Sequence, residues 1–123
     1  MAIVNDQLET TQLDLITVPS NKRYAITNIM VCNTYSPSDP SPETHGASFD
    51  LHLIPNGQSL DNNVTCVVRE LELPAGETFT FDSEKIVLEA GDKVSFVAEP
   101  DLGGGDAGKT DLAATLSYMF TKI

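Results

Sequence analysis

One segment of the chain matches a pattern that binds phosphate in nucleotide-dependent proteins. Gly103, Gly108, Lys109 and Thr110 have the spacing G-x-x-x-x-G-K-[ST], in which backbone amides hold the phosphate, the lysine contacts it and the hydroxyl binds magnesium. The pattern requires a following helix and then a parallel strand, and the short sequence after Thr110 leaves no room for both. Asp106 would also place a negative charge beside the phosphate. We therefore interpret the segment as a glycine-rich surface loop and predict no bound nucleotide.

The two histidines and the acids of the glycine-rich loop are the candidates for metal binding. His45 lies in a proline-rich segment, and His52 lies on the polar face of a predicted strand, facing solvent or an interface. A structural zinc site needs four close ligands, and neither histidine has such partners in the sequence. Asp101, Asp106 and Asp111 offer oxygen ligands for calcium, but their spacing is not that of a helix-loop-helix calcium site. We predict no metal and no other cofactor, and a cation at the acidic loop stays an open alternative.

Nucleophilic catalysis has little support in the sequence. The serines lack the Gly-x-Ser-x-Gly spacing of hydrolases, and no histidine and aspartate follow in a matching order. A carboxylate pair for glycoside cleavage is compatible with such an acidic chain but is indicated by no spacing. Cys32 and Cys66 fall on apolar faces of predicted strands, which is typical of free cysteines in a core. We predict two buried thiols and a protein that is not an enzyme.

The charge balance excludes two classes of partner. The chain has 123 residues, with 18 acidic residues against 7 Lys and Arg, and a formal net charge of −11. Nucleic acids and anionic membranes both require a basic surface, so we predict neither as a partner. Apolar residues make up 41% of the chain, which is enough for one buried core, and no apolar run approaches the roughly 20 residues of a membrane helix.

Turn signals divide the chain into short segments in which apolar and polar residues alternate. Pro55-Asn56-Gly57, Pro74-Ala75-Gly76 and Ala90-Gly91-Asp92 separate segments rich in Val, Ile, Thr, Phe and Tyr. Short alternating strands with frequent turns are typical of a sandwich or barrel. We therefore predict an all-β fold, an antiparallel β-sandwich of jelly-roll-like type with about eight strands. The predicted core consists of Ile26, Met30, Phe49, Leu51, Leu53, Val64, Val68, Phe79, Phe81, Leu88, Val94, Phe96, Leu116, Tyr118 and Phe120.

One predicted strand carries apolar side chains on both faces. Ile26 and Met30 lie on one face, whereas Ile29 and Val31 lie on the other. A sandwich buries only one face of each sheet, so we predict that a neighbouring chain covers the second face. Another strand places Val67 on the face opposite Cys66. The predicted interface consists of Ile29, Val31 and Val67.

The ends of the chain and two interruptions complete the predicted organisation. Residues 112–123 fit a helical stripe and a strand alternation equally well, and Thr and Tyr in this segment favour the strand. Residues 36–47 and 100–111 show no periodicity and are predicted to be exposed loops. The first ten residues lack a turn signal, so we predict an N-terminal arm over 1–10 that docks elsewhere and one sandwich domain over 11–123.

The sequences of the strands and turns also resemble a known group of proteins. In order, NKRYAITNIMVCNT, SFDLHLIPNGQS, LPAGETFTFDSEKIVLEAGDKVSFVAE and LAATLSYMF resemble small all-β virion proteins of tailed bacteriophages. The resemblance covers roughly residues 12 to 122, judged by the order of strands and turns. It implies a β-sandwich module of a phage particle. The loops at 36–47 and 100–111 depart from the shorter members of the group.

The resemblance implies a non-enzymatic structural role in the virion. The leading expectation is a capsid decoration or cement protein that stabilises the head, and the alternative is an accessory piece of the tail, neck or fibre. The expected partners are the major capsid protein or other virion proteins and further copies of the chain, as a trimer or dimer.

A carbohydrate-binding module for receptor recognition is the alternative from another class. Such a module needs exposed aromatic rings for stacking on sugars, and Tyr24 and Tyr35 are the candidates in a chain without tryptophan. A cupin-like enzyme is disfavoured because the histidine cluster of its metal site is missing from the sequence.

Overall fold

The fold is all-β, as the sequence predicts. In the computed structural model, the described residues are 2–36, 38, 46–99 and 109–122, with the side chains of 82–85, 109 and 110 excluded. These residues contain no helix, and so none that could cross a membrane. Their strands are β1 (Ala2–Glu9), β2 (Leu13–Thr17), β3 (Lys22–Asn33), β4 (Ala47–Ile54), β5 (Cys66–Leu73), β6 (Thr78–Leu88), β7 (Lys93–Ala98) and β8 (Lys109–Lys122).

The strands form two antiparallel four-stranded sheets that pack against each other. The order is β1-β8-β3-β6 in the first sheet and β2-β7-β4-β5 in the second. The pairs are nested, because β1 pairs with β8, β2 with β7, β3 with β6 and β4 with β5. A long antiparallel hairpin rolled up in this way is a jelly roll. The predicted β-sandwich is therefore confirmed, and its strand order is that of the jelly-roll type.

The core lies between the sheets and contains most of the predicted residues. Phe49 in the second sheet contacts Phe96 beside it and Phe79 across the sandwich, with ring centroids 6.1 and 5.7 Å apart. These rings join the two sheets at the centre of the fold. The predicted residues found buried are Ile26, Phe49, Leu51, Leu88, Val94, Phe96 and Leu116, and those partly buried against them are Leu53, Val68, Phe79, Phe81 and Tyr118.

A β-bulge in β3 explains the strand with two apolar faces. The register of β3 against β8 shifts between Ile26 and Asn28, so that Thr27 is an extra residue in β3. An extra residue reverses the alternation of the side chains that follow it. Ile26 therefore points into the core before the bulge, and Ile29 and Val31 point into the core after it. One face of the strand is buried, and no neighbouring chain is needed to explain its pattern.

Three residues predicted in the core are exposed instead. Met30 is 36% exposed because the bulge turns it outward. Val64 is 69% exposed because β5 begins only at Cys66, and Val64 lies in a turn whose amides bond to the carbonyl oxygen of Asp61. Phe120 is 52% exposed near the end of β8, where the Lys22 ammonium lies 4.8 Å from its ring centroid.

The N-terminal segment is a strand of the sandwich. β1 pairs with β8 along its length, from Ala2 opposite Tyr118 to Glu9 opposite Lys109, and forms one edge of the first sheet. Leu8 is fully buried in the common core. The prediction of a separate arm over 1–10 is therefore wrong, because burial of Leu8 and the ladder with β8 attach this segment to its own domain.

Candidate interaction surface

The three residues predicted as an interface separate into two groups. Ile29 and Val31 are fully buried in the core, because the bulge turns both side chains between the sheets. The prediction that they contact a neighbouring chain is wrong for this fold. Val67 of β5 is 44% exposed, so its side chain is open to a partner, and its role in an interface stays a prediction.

The outer face of the first sheet contains four cross-strand rows in which the described side chains are uncharged. Two rows lie towards one end, Val87–Ala25–Met119 and Asn28–Ser117–Ile3, and two follow them, Thr80–Met30–Thr115–Asn5 and Thr78–Cys32–Ala113–Gln7. β6 continues the second row with Asp82, opposite Asn28, and the side chains of 82–85 are outside the described ones. We call these four rows the neutral face. The described side chains at these positions include neither an acid nor a base.

The neutral face also carries four of the large apolar side chains that are most exposed. Ile3 is 67% exposed, Met119 55%, Val87 53% and Met30 36%. Between them lie threonine, serine, alanine, cysteine and amide side chains. Solvated sheet faces normally carry charged residues, which oppose unwanted association. Four rows without a charge among their described side chains, on a chain of net charge −11, are therefore a candidate protein contact.

The ends of the neutral face are marked by charges. Arg23 lies beyond the Ala25 row and bonds to Glu89, with Nε and Oε1 2.8 Å apart and both side chains about half exposed. Asp111 lies at the opposite end of the neutral face, beyond the Ala113 row, and is the first residue of β8 whose side chain is described. A neutral centre with charged residues at its margin matches the usual arrangement of a protein interface, in which the rim is polar and the centre lacks charge.

The outer face of the second sheet is different, because charged groups are paired across it. Asp50 is 4% exposed, and its carboxylate accepts hydrogen bonds from the Arg69 guanidinium and from the Glu70 amide, both at 2.7 Å. Glu70 has a φ of 49°, at a bulge between β4 and β5. Charge-assisted bonds of this length satisfy a buried carboxylate. The Asp50 site is thus a structural ion pair with its acceptor oxygens occupied.

A second pair of charged residues crosses the same sheet. The Asp14 carboxylate accepts a 2.6 Å hydrogen bond from the Ser95 hydroxyl and lies 3.7 Å from the Lys93 ammonium. Burial raises the pKa of Asp14, but the bonds from Ser95 and Gln12 and the charge of Lys93 outweigh it, so that this pKa lies below its usual value. Asp14 is therefore a permanent anion at neutral pH, and it has no feature of a general base.

His52 is buried beside these pairs, contrary to the prediction that it faces solvent or an interface. It has no exposed surface, and its Nδ1 lies 2.8 Å from Thr65 Oγ1. The Thr65 hydroxyl donates to the carbonyl oxygen of Asp61, so its oxygen accepts from His52 Nδ1–H. The other ring nitrogen, Nε2, is buried without a hydrogen-bond partner.

This environment keeps the imidazole of His52 neutral. Burial lowers the pKa of His52, the Asp50 carboxylate raises it by a smaller amount, and the Arg69 guanidinium lowers it again. A neutral histidine without access to solvent cannot exchange protons with a substrate in this conformation. His52 therefore belongs to the packing of the second sheet.

The remaining candidates from the sequence form no second site. Across the described residues, no three His, Cys, Asp or Glu side chains lie close enough together to hold a metal ion. Cys32 and Cys66 are free and half-buried on different sheets. The phosphate-binding pattern, with Asp101 and Asp106, and His45 lie outside the described residues, apart from the backbone of 109 and 110.

Two further features bear on ligand binding. Tyr24, one of the two candidates for sugar stacking, is 6% exposed and stacks on Tyr118 at 4.4 Å, so it offers no free ring face. A shallow apolar depression lies beside Pro55 and Leu88, with a volume of about 70 Å³. Ligand pockets usually measure roughly 300–1,000 Å³, so this depression is small for a metabolite.

No protein-family model matches the chain, and no curated protein matches it.

The neutral face was not predicted from the sequence, although a signal for it is present. The central outward positions of β1 and β8, between Asp111 and Thr121, are Ile3, Asn5 and Gln7, then Ala113, Thr115, Ser117 and Met119. Alternate positions without a single charge, in a chain with 20% charged residues, identify an uncharged sheet face once the strands are known.

Proposed function

We propose that this chain is a non-enzymatic structural component of a tailed-phage virion, with a capsid decoration protein as the form that fits best. The observation that carries the proposal is the neutral face on an otherwise acidic jelly roll. A surface whose described side chains are uncharged along four cross-strand rows suits contact with another protein, because these side chains carry no charge that must be stripped of water when they are covered.

The fold and the resemblance support the same role. The strands and turns resemble small virion proteins of tailed phages over most of the chain, and jelly rolls are a recurrent architecture of viral capsids. That second argument is one of analogy, since a fold alone does not define a function. The paired state of Asp50 and the buried, neutral His52 favour a structural role for the polar residues of the second sheet.

The acidic charge fits a subunit added to the outside of a particle. A net charge of −11 keeps free subunits apart and in solution before assembly. The same charge repels the packaged nucleic acid, so the chain is directed to protein surfaces and away from the genome. The same properties would suit an accessory subunit of the tail or neck, which is the alternative position of the chain in the virion.

Quantitative mass spectrometry of purified particles from the phage that encodes the chain tests the proposal. A decoration protein is expected in a fixed ratio to the major capsid protein, and a tail or neck subunit in a low copy number that follows the tail proteins. Tail-less heads from the same lysate are the control that separates the two positions. Absence of the chain from both heads and tailed particles would refute the proposal.

Removal of the gene provides the functional measurement. Heads that assemble without a decoration protein are expected to release their genome at a lower temperature than complete heads, and added purified chain should restore the release temperature. Equal release temperatures with and without the chain would contradict the stabilising role. The chain could then still be a virion component that does not stabilise the head.

A further inference from the structure

We infer that Asn56 is a site of spontaneous deamidation, and that its contact with the turn at 89–92 keeps it unreactive in the folded chain. Asparagine followed by glycine is the pair in which this reaction is easiest, because glycine lacks the Cβ that would shield its backbone nitrogen. Asn56 and Gly57 form such a pair, and both are exposed. The inference goes beyond the proposed function and does not depend on it.

The reaction needs no partner other than water. The Gly57 backbone nitrogen loses its proton to solvent and attacks Asn56 Cγ, a C–N bond forms, and the side-chain nitrogen takes up a proton and leaves as ammonia. Water then opens the resulting cyclic imide by breaking one of its two ring C–N bonds, which gives aspartate or isoaspartate at position 56. One water is consumed and one ammonia is released, with no oxidation or reduction.

The turn at 55–58 holds Asn56 in a conformation that cannot form the imide. The Gln58 amide donates to the Pro55 carbonyl oxygen at 3.0 Å, and Gly57 has a φ of +85°. Asn56 is not among the described non-glycine residues with a positive φ, so the turn is of type II. In a type II turn the Gly57 nitrogen lies about a third of a rotation away from Asn56 Cβ around the Cα–C bond, whereas the planar imide requires the two atoms to be eclipsed.

The contact with the 89–92 turn prevents Asn56 from leaving this conformation. A Cβ at Gly91 would lie 2.4 Å from Asn56 Cγ, so the carbon that must be attacked lies against the Gly91 backbone. The Asn56 amide donates to Asp92 Oδ1 at 2.8 Å, which fixes the backbone of the same residue. Both parts of Asn56 are thus held, and rotation to the reactive conformation requires the two turns to separate.

The 89–92 turn is itself attached to the core. The Gly91 amide donates to the Val18 carbonyl oxygen at 2.8 Å, and the Val18 amide donates to the Asp92 carbonyl oxygen at 3.0 Å. Asp92 Oδ2 accepts from the Glu89 amide at 2.9 Å. Val18 is buried, so the support for Asn56 does not move freely. The reaction therefore proceeds from locally opened molecules, and its rate follows their population.

Modification makes the separation of the two turns permanent. Either product places a new carboxylate at position 56, beside the carboxylate of Asp92, and like charges at close range repel each other. Isoaspartate also adds one carbon atom to the main chain of the turn. We therefore expect the modified chain to lose the bond between residues 56 and 92 and to keep its sandwich, because neither turn belongs to a strand.

Peptide mapping by mass spectrometry, during incubation in mildly alkaline buffer, tests the inference. In urea, the unfolded chain is expected to gain the mass of deamidation at position 56 at least about tenfold faster than the folded chain. Asp92→Ala and Gly91→Ala are expected to raise the rate in the folded chain at least about tenfold, because each weakens the contact between the turns.

Two control variants separate local opening from general loss of stability. Asp61→Ala is the matched control, because Asp61 Oδ1 accepts the Asn63 amide at 2.8 Å, which is the same kind of bond in the next turn along the chain. Leu8→Ala removes a fully buried side chain of β1 and changes neither turn. Both controls are expected to change the rate at position 56 less than about twofold. Circular dichroism verifies that each variant is folded under the conditions of the incubation.

Three results would overturn the inference. Equal rates in the folded and the urea-unfolded chain would show that the fold does not protect Asn56. Acceleration in Leu8→Ala as large as in Asp92→Ala would assign the reaction to global unfolding. An unfolded chain that gains no mass at position 56 would show that this pair is unreactive. None of these results concerns the presence of the chain in phage particles, so the proposed function is tested separately.

Discussion

The hydroxyl oxygens of Thr27 and Ser117 lie 2.7 Å apart across β3 and β8, at the point where β3 has one residue more than its neighbour. This hydrogen bond lies at the bulge that reverses the direction of every later side chain in β3. The reversal places Val31 in the core and Met30 on the neutral face. The bulge therefore determines which β3 side chains lie in the core and which lie on the outer face of the first sheet.

The first prediction compares these two adjacent residues. Val31→Asp is expected to lower the free energy of unfolding by about 3 kcal/mol or more, because it buries a carboxylate without a partner. Met30→Asp is expected to lower the free energy of unfolding by less than about 1 kcal/mol, because this side chain lies on the solvent-exposed neutral face. Urea unfolding of both variants measures the difference. A larger cost for Met30→Asp than for Val31→Asp would mean that the alternation continues through Thr27 without a bulge.

The second prediction concerns Gly91, which has a φ of +88° and contacts Asn56. A Cβ at Gly91 would lie 2.4 Å from Asn56 Cγ and 2.8 Å from its Cβ. The Asn56 backbone cannot easily retreat, because its amide bonds to the Asp92 carboxylate at 2.8 Å. We expect Gly91→Ala to cost at least about 1 kcal/mol more than the backbone conformation alone explains.

Gly57→Ala is the control for that prediction. Gly57 has almost the same φ, +85°, but a Cβ there would meet nothing within 4 Å. Its cost, about 1 kcal/mol, therefore measures the backbone effect without the contact. Chemical denaturation of both variants tests the comparison, and Asn56→Gly in the Gly91→Ala background should recover part of the loss. Equal costs for the two glycines would contradict a tight contact between the two turns.

The third prediction uses the buried imidazole of His52. Because burial lowers its folded pKa below the usual 6.5, the unfolded chain binds the proton more readily. The free energy of unfolding should therefore fall as the pH drops below about 6.5, by at most about 1.4 kcal/mol per pH unit for one group. The loss should level off below the folded pKa.

His52→Asn isolates this contribution, because the Asn amide can donate to Thr65 but does not titrate. Wild type and variant keep the same carboxylates and His45, so the difference between their pH profiles belongs to residue 52. Urea unfolding between about pH 5 and 8, which spans the ordinary range of a histidine, provides the profiles. Parallel profiles would show that His52 reaches solvent and keeps its ordinary pKa.

The fourth prediction concerns the attachment of β1 to the sandwich. Leu8 is fully buried, and Leu8→Ala is expected to cost about 2–5 kcal/mol of stability through lost burial and a cavity. Ile3 lies in the same strand but is 67% exposed, so Ile3→Ala should change the stability of the monomer by about 0.5 kcal/mol or less. Thermal and urea unfolding of the two variants measure both effects. A Leu8→Ala variant as stable as wild type would indicate that residues 1–10 do not contribute to the core and behave as a separate arm.

Local patterns in the sequence were enough to predict the fold class and much of the core. Clean alternation in the segments around Phe49, Phe79 and Phe96, separated by turns that contain Gly57, Gly76 and Gly91, was sufficient to predict a β-sandwich. Each of these glycines has a φ near +80 to +90°, the conformation that glycine adopts at little cost. Period-two burial and turn chemistry are local properties, so they can be read without knowledge of strand pairing.

Long-range strand pairing, which local patterns do not reveal, fixes which side chains point into the core and which segments join one domain. The bulge at Thr27 is set by pairing with β8, some 90 residues further along the chain. In the sequence, the change of apolar face after Ile26 does not distinguish an extra residue from a second buried face. The bulge made Ile29 and Val31 core residues and Met30 a surface residue. His52 is buried although it lies on the polar face of its strand, because Thr65 and its turn pack against it. The neutral face likewise exists only across four strands, since each one contributes a few unremarkable uncharged residues and their adjacency comes from the sheet order alone.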